Sequence, residues 1–181
     1  MRTAREKIVG REELLRERAR WRAEGKRVVM TNGCFDLMHA GHAGYLEFAR
    51  GLGDVLVVAL NTDESIRRLK GASRPVVDGE NRARMMAALE CVDRVAFFGE
   101  DEPKELIAAV LPDVLVKAAD WAHYVSGREA VEAAGGKVVL APMTEGLSTS
   151  AIVARIKSGV GVGGAAQGDI SSGLTVMGKQ V

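Results

Sequence analysis

Arg27-Val28-Val29-Met30-Thr31-Asn32-Gly33-Cys34-Phe35-Asp36-Leu37-Met38-His39-Ala40-Gly41-His42 is the stretch that decides the fold of this chain. Its opening is an apolar strand that runs into the turn-prone pair Asn32-Gly33. Two histidines spaced His-x-Gly-His then stand at the mouth of a helix reading Ala43-Gly44-Tyr45-Leu46-Glu47-Phe48-Ala49-Arg50. Unpaired backbone N–H groups and the positive end of the helix dipole converge at such a junction, which predicts an anion site. A lone histidine near a helix start is more often structural. Here two of the chain's three histidines flank one glycine, and that favours chemistry.

Outward from this junction, apolar runs alternate with helical patterns. Glu12 to Glu24 reads as a charged helix with Leu14, Leu15 and Trp21 on one side, closed by Gly25. Val55 to Leu60 is a buried strand, followed by a helix from Asp63 to about Lys70 and another from Arg82 to Leu89. Arg94 to Phe98 is the third strand, and Pro103 to Leu111 reads as a helix with proline near its start. Val114 to Lys117 and Lys137 to Leu140 complete five strands, the last preceded by a helix ending at Gly135-Gly136. Near-continuous apolar strands separated by helices predict a Rossmann-like α/β fold, a doubly wound parallel sheet covered on both faces. Ligands of such sheets bind at the carboxyl ends of the strands, near the topological switch point. The expected organisation is an N-terminal helical extension over 1–26, a catalytic domain over 27–158, and a flexible glycine-rich tail over 159–181.

Composition narrows the function classes. The 47% apolar and 27% charged fractions are those of a soluble globular protein. A net charge of +1 gives no bulk attraction to nucleic acid or an anionic membrane, and 4% aromatics argue against a stacking platform for single strands. No run approaches the about 18–20 apolar residues of a membrane span, and the charged first residues do not resemble a signal peptide. Cys34 and Cys91 are too few for a disulfide framework or a thiolate metal site, which fits a reducing cytoplasm. Both read as packing residues.

The His-x-Gly-His run lacks a third ligand at metal spacing, so no protein-built metal site is expected. The G-x-G-x-x-G dinucleotide fingerprint is also absent after the first strand. Phosphate chemistry remains. Gly41 lets backbone approach closely, His39 and His42 supply N–H donors, and Asn32, Gly33 and Asp36 shape the turn. Asp36 either orients this loop, helps hold Mg²⁺, or serves as an Asx-type turn or cap. Lys117, at the carboxyl end of the fourth strand, falls at the ligand-binding edge.

The segment from Met30 through Leu46 resembles the nucleotidyltransferase superfamily, whose pattern T/N-G-x-F-D-x-x-H-x-G-H includes Phe35. Leu69-Lys70-Gly71, Arg74-Pro75-Val76, Asn81-Arg82 and Ala88 to Asp93 resemble one branch, the adenylyltransferases of ADP-heptose synthesis. So do Leu111 to Lys117, Ala134 to Val138 and Gly146-Leu147-Ser148-Thr149-Ser150. The similarity spans roughly residues 7 to 157. It implies transfer of AMP from ATP, with Mg²⁺, to D-glycero-β-D-manno-heptose 1-phosphate, releasing pyrophosphate, in lipopolysaccharide inner-core synthesis. It also implies that His39 and His42 face the α-phosphate and that Lys70 and Arg82 contact phosphate or sugar phosphate. Ser148, Thr149 and Ser150 would grip the β- and γ-phosphates, and Asp120-Trp121 would border the substrate pocket. A homodimer is implied as well, with a separate kinase supplying the sugar phosphate.

Two departures from the pattern bear on substrate. The family commonly has Lys-Gly-Gly-Asp-Tyr where this chain has Lys117-Ala118-Ala119-Asp120-Trp121, and alanine does not replace glycine where φ is positive. Glycerol-3-phosphate cytidylyltransferases carry arginine before Thr-Glu-Gly-Ile-Ser-Thr, whereas Met143 stands there in this chain. The alternatives are a cytidylyltransferase for glycerol 3-phosphate or a related phosphate, and a non-catalytic nucleotide-binding module.

Overall fold

The computed structural model describes residues 3–121, 123–142 and 148–159. Strands β1 (Val28–Gly33), β2 (Val55–Asn61), β3 (Arg94–Phe98), β4 (Val114–Ala118) and β5 (Lys137–Ala141) form one sheet in the order β3-β2-β1-β4-β5. All four pairings are parallel. This is the doubly wound sheet that alternating apolar runs and helices predict. Chain order reverses between β1 and β4, where Thr31 is in register with Val116.

The pleat sorts side chains onto two cores. Val28, Met30, Val57, Ala59 and Leu115 face helices α2 (Arg11–Ala23), α6 (Lys104–Val110) and α7 (Arg128–Ala133) through Leu14, Trp21, Ile107 and Val131. Val29, Leu56, Val58, Val95 and Val116 face α3 (Ala40–Arg50) and α5 (Gly79–Ala88) through Leu46, Ala49, Ala83 and Met86. Because Leu14 and Trp21 are fully or almost fully buried, α2 belongs to the folded body rather than hanging from it. Periodicity gives no sign of α1 (Ala4–Lys7), a single turn held by the Thr3–Glu6 capping box. After it, Ile8 bridges to Val95, and the N–H of Val9 bonds the Val95 carbonyl, so the N-terminus covers the β3 edge.

Aspartates close the amino edge of the sheet. Asp54, Asp93 and Asp113 each precede a strand and accept from the N–H of Arg27, Leu56 and Val28 at 2.7, 2.8 and 2.7 Å. Among the described residues the carboxyl edge carries no such row of aspartates, and the loops that line the cavity gather there.

Helix α5 starts at Gly79 rather than Arg82, because Asp78 accepts the Asn81 N–H and caps it. α4 (Asp63–Lys70) is capped by Thr62 in the same way. The first compact unit runs through Thr149. The second contributes the rest of the described helix α8 (Thr149–Ser158), beginning with Ser150. Thr144 to Leu147, Met143 and the tail from 160 onward lie outside the described residues.

Candidate active site

Where β1 ends, Gly33 is followed by a loop whose geometry is set by an unusual backbone. Phe35 is held at φ 44°, a left-handed conformation costly for a bulky residue. This turns its ring back over Gly33, where an added Cβ would stand only 3.1 Å from Phe35 Cε2. A larger residue at 33 would therefore need the ring to give by a few tenths of an ångström. The same ring meets the His42 imidazole, with centroids 5.2 Å apart.

His39 is the N-cap residue of α3, in extended conformation and without a side-chain cap bond. The His42 and Ala43 N–H groups both turn to the His39 carbonyl. The N–H groups of Ala40 and Gly41 have no partner among the described residues, so an uncapped helix mouth remains. The two imidazoles stack with centroids 3.9 Å apart, and each buries its Nδ1 without a hydrogen-bond partner among the described residues. Burial, helped by repulsion from His39, pushes the His42 pKa down to about 4. His42 is thus a neutral ring at physiological pH.

A cavity of about 320 Å³ opens over this mouth. Of the residues expected at the site, Asn32, Gly33, Phe35, Asp36, His39, Gly41, His42, Lys70, Lys117, Asp120, Ser148 and Thr149 line it. Lys117 Nζ lies 3.4 Å from the Asn32 carbonyl and 3.3 Å from its side-chain oxygen, tying the ends of β1 and β4 together. Burial lowers its pKa to about 8, against the opposing influence of Asp120 and Cys34. Thr149 donates to the Leu37 carbonyl at 3.3 Å. Ser150 is exposed and opens the second unit.

Arg82 is not brought to the cavity wall. Its side chain is 0% exposed and spends its donors on the carbonyls of Val77, Cys34 and Asn61 and on Asp63 Oδ1 at 2.6 Å. A guanidinium so consumed holds the ends of β1 and β2 and the α4–α5 connection in place from behind. Asp36 is likewise saturated. It accepts from Val76 and Val77 N–H and from Arg74 Nε, and these bonds outweigh burial and hold its carboxyl below the usual range. It is a loop anchor, neither a cap nor an open metal ligand.

Tyr45, Arg74, Cys34, Ala118 and Pro142 also line the cavity. Tyr45 could be anticipated one helical turn beyond His42, where its hydroxyl donates to the Val116 carbonyl at 3.0 Å and pairs with Thr31 at 2.6 Å. Burial raises its pKa to about 12. Arg74 sits in a connection without periodicity, and nothing in the sequence pattern says where it faces.

This arrangement, two stacked imidazoles at an uncapped helix start with cations lining the same cavity, coincides with a known sequence signature. The model of the family described as cytidylyltransferase-like covers residues 30–155. The chain belongs to the cytidylyltransferase-like family. It is thereby a nucleotidyltransferase-type enzyme, as the resemblance at Met30 to Leu46 implies.

Relatives within this family are close. The "Bifunctional protein HldE" of Azorhizobium caulinodans is 54% identical over 152 residues, 83% of this chain and 32% of that protein. The protein of the same name from Citrifermentans bemidjiense is 54% identical over 141 residues, 77% of this chain and 29% of its own. The chain thus spans about a third of the length of the curated relatives it matches. Among solved structures, a lipopolysaccharide core biosynthesis protein from Thermoplasma volcanium is 29% identical with a TM-score of 0.55. The match covers 66% of this chain and 98% of that one. A pantoate-beta-alanine ligase from Francisella tularensis shares the fold alone, at 15% identity and TM-score 0.56, with 83% of this chain and 76% of that one covered.

Proposed function

We propose that this domain transfers AMP from ATP to D-glycero-β-D-manno-heptose 1-phosphate, giving ADP-heptose and pyrophosphate for lipopolysaccharide core synthesis. The observation that carries the reading is the stacked His39–His42 pair at the uncapped start of α3, beneath a cavity lined by Lys70 and Lys117. An oxygen of the sugar phosphate attacks the α-phosphorus, and the bond to pyrophosphate breaks on the opposite side. Charge accumulates on the equatorial oxygens, so positioning and preorganised donors supply most of the acceleration. The α3 N–H groups and the two imidazoles are such donors. A phosphate nucleophile is already ionised near pH 7, so no general base is required.

Ser148 and Thr149 are assigned to the leaving phosphates, and Ser150 to the same helix start. Lys70, Lys117 and Asp120 are assigned to the substrates' phosphate, sugar or base. Mg²⁺ enters as part of the nucleotide substrate and neutralises triphosphate charge. Among the described residues no group of three or more His, Cys, Asp or Glu side chains is placed to hold a metal. The names of the HldE relatives and of the Thermoplasma protein support the heptose assignment. We place the enzyme in the cytoplasm as a homodimer. No helix among the described residues is long and apolar enough to cross a membrane. Exposed Leu69, Val76 and Met85 are available to a second copy, and sedimentation should return twice the chain mass.

A pyrophosphate-release screen of ATP, CTP and GTP against heptose 1-phosphate and glycerol 3-phosphate tests the assignment. Turnover is expected only with ATP and the heptose. The second reading, a cytidylyltransferase, is favoured by the family description itself, and turnover with CTP and glycerol 3-phosphate alone would establish it.

A further inference from the structure

Arg74 lies on the cavity wall beside Lys70, His39 and His42, in the loop between α4 and α5. Its Nε donates to Asp36 Oδ2 at 2.6 Å. That carboxylate is 1% exposed and is already engaged by Val76 and Val77 N–H, so it cannot turn to follow the arginine. The guanidinium is therefore clamped at one edge. A guanidinium carries five N–H donors in a rigid fork, and one is used here. Its terminal nitrogens make no hydrogen bond among the described residues, although the side chain is only 17% exposed. Holding a long, rotamer-rich cation this far out of water leaves its terminal donors unmatched by the described residues. Two parallel N–H groups fit two oxygens of one phosphoryl group, a geometry an ammonium cannot copy.

The geometry points to Arg74 as a phosphoryl-binding residue, with Asp36 as the positioning residue that aims it. This rests on the reading that phosphorylated substrates occupy the cavity. It adds the residue that grips one of them and the reason Asp36 is buried. The phosphoryl group belongs either to the nucleotide or to the acceptor sugar phosphate. Asp36 offsets one charge of the wall, so the fork supplies geometry more than net charge.

Calorimetric titrations of the full chain distinguish the sources without requiring turnover. One arm uses Mg²⁺ with α,β-methylene-ATP. The other uses heptose 1-phosphate added to protein saturated with that analogue. Arg74→Ala is expected to weaken one ligand by about 10- to 100-fold, the usual loss for a charge-assisted bond. Arg74→Lys is expected to recover only part, because it keeps the charge and loses the fork. Weakening confined to the first arm assigns the nucleotide phosphates, and weakening confined to the second assigns the acceptor. Asp36→Asn should weaken the same ligand as Arg74→Ala, whereas a purely structural role would lower thermal stability without that selectivity. Affinities within twofold of wild type in both arms, for a folded Arg74→Ala or Arg74→Gln protein, overturn the proposal. If wild type binds both ligands yet releases no pyrophosphate, the transferase reading fails while Arg74 is still judged by the titrations.

Discussion

His42 is an imidazole whose surroundings choose its charge. Burial and the stacked His39 ring hold its pKa at about 4, against 6.5 for the ordinary side chain. His42 should therefore contribute no inflection near 6.5 to kcat/KM for ATP, and any acid limb that a His42 variant removes should fall near pH 4. A bound triphosphate favours the imidazolium, so the corresponding break in kcat should lie higher. The unfolded chain takes this proton first, so the contribution to stability is lost as pH falls from 6.5 toward 4. His42→Ala should abolish that dependence in urea melts and lower kcat by about 10²- to 10³-fold, the usual cost of one well-aimed donor. Lys117 gives the alkaline counterpart. With its pKa at about 8, affinity for methylene-ATP should decline as pH rises through that value. Lys117→Arg, always charged, should flatten the profile, and an unchanged slope in that variant would remove Lys117 from anion binding.

Among the elements, the β1–loop–α3 unit was the most legible in sequence, because strand, Asn-Gly turn and helix-mouth histidines each have a local signature. The five strands followed for the same reason: fully buried parallel strands are continuous apolar runs. What the sequence did not reveal was partnership. Asp78 before Gly79 is a readable cap, and it places the α5 start earlier than the apolar pattern alone suggests. No local pattern, however, says that Arg82 turns inward to Asp63, nineteen positions away, or that Asp36 reaches Val76 and Val77 across the loop. Such contacts are set by strand order. Arg82 accordingly makes an element-scale prediction. Arg82→Ala removes the donor to Asp63 Oδ1 and to three carbonyls, and should cost about 3–5 kcal/mol in urea unfolding. Arg82→Lys should recover little, since one ammonium cannot span the four acceptors. Full stability in Arg82→Ala would instead return this arginine to the list of possible ligands.

For the whole molecule, the proposed transfer from ATP turns on which phosphorus the acceptor attacks. The relatives it matches are about three times as long and are named bifunctional, and this chain spans about a third of their length. This chain matches the family model over residues 30–155, and its cavity is built around the α3 mouth at the point where strand order reverses. An in-line attack at the α-phosphorus expels pyrophosphate, whereas attack at the γ-phosphorus expels ADP. The by-product therefore reports the site of attack without any assumption about the acceptor's identity. With ATP, Mg²⁺ and heptose 1-phosphate, phosphorus NMR should show pyrophosphate and a sugar diphosphate ester appearing in equal amounts, with no free ADP. His42→Ala should slow both products together, because they arise from one displacement. ADP as the main product would place the chemistry at the γ-phosphorus and overturn the assignment of the histidine pair.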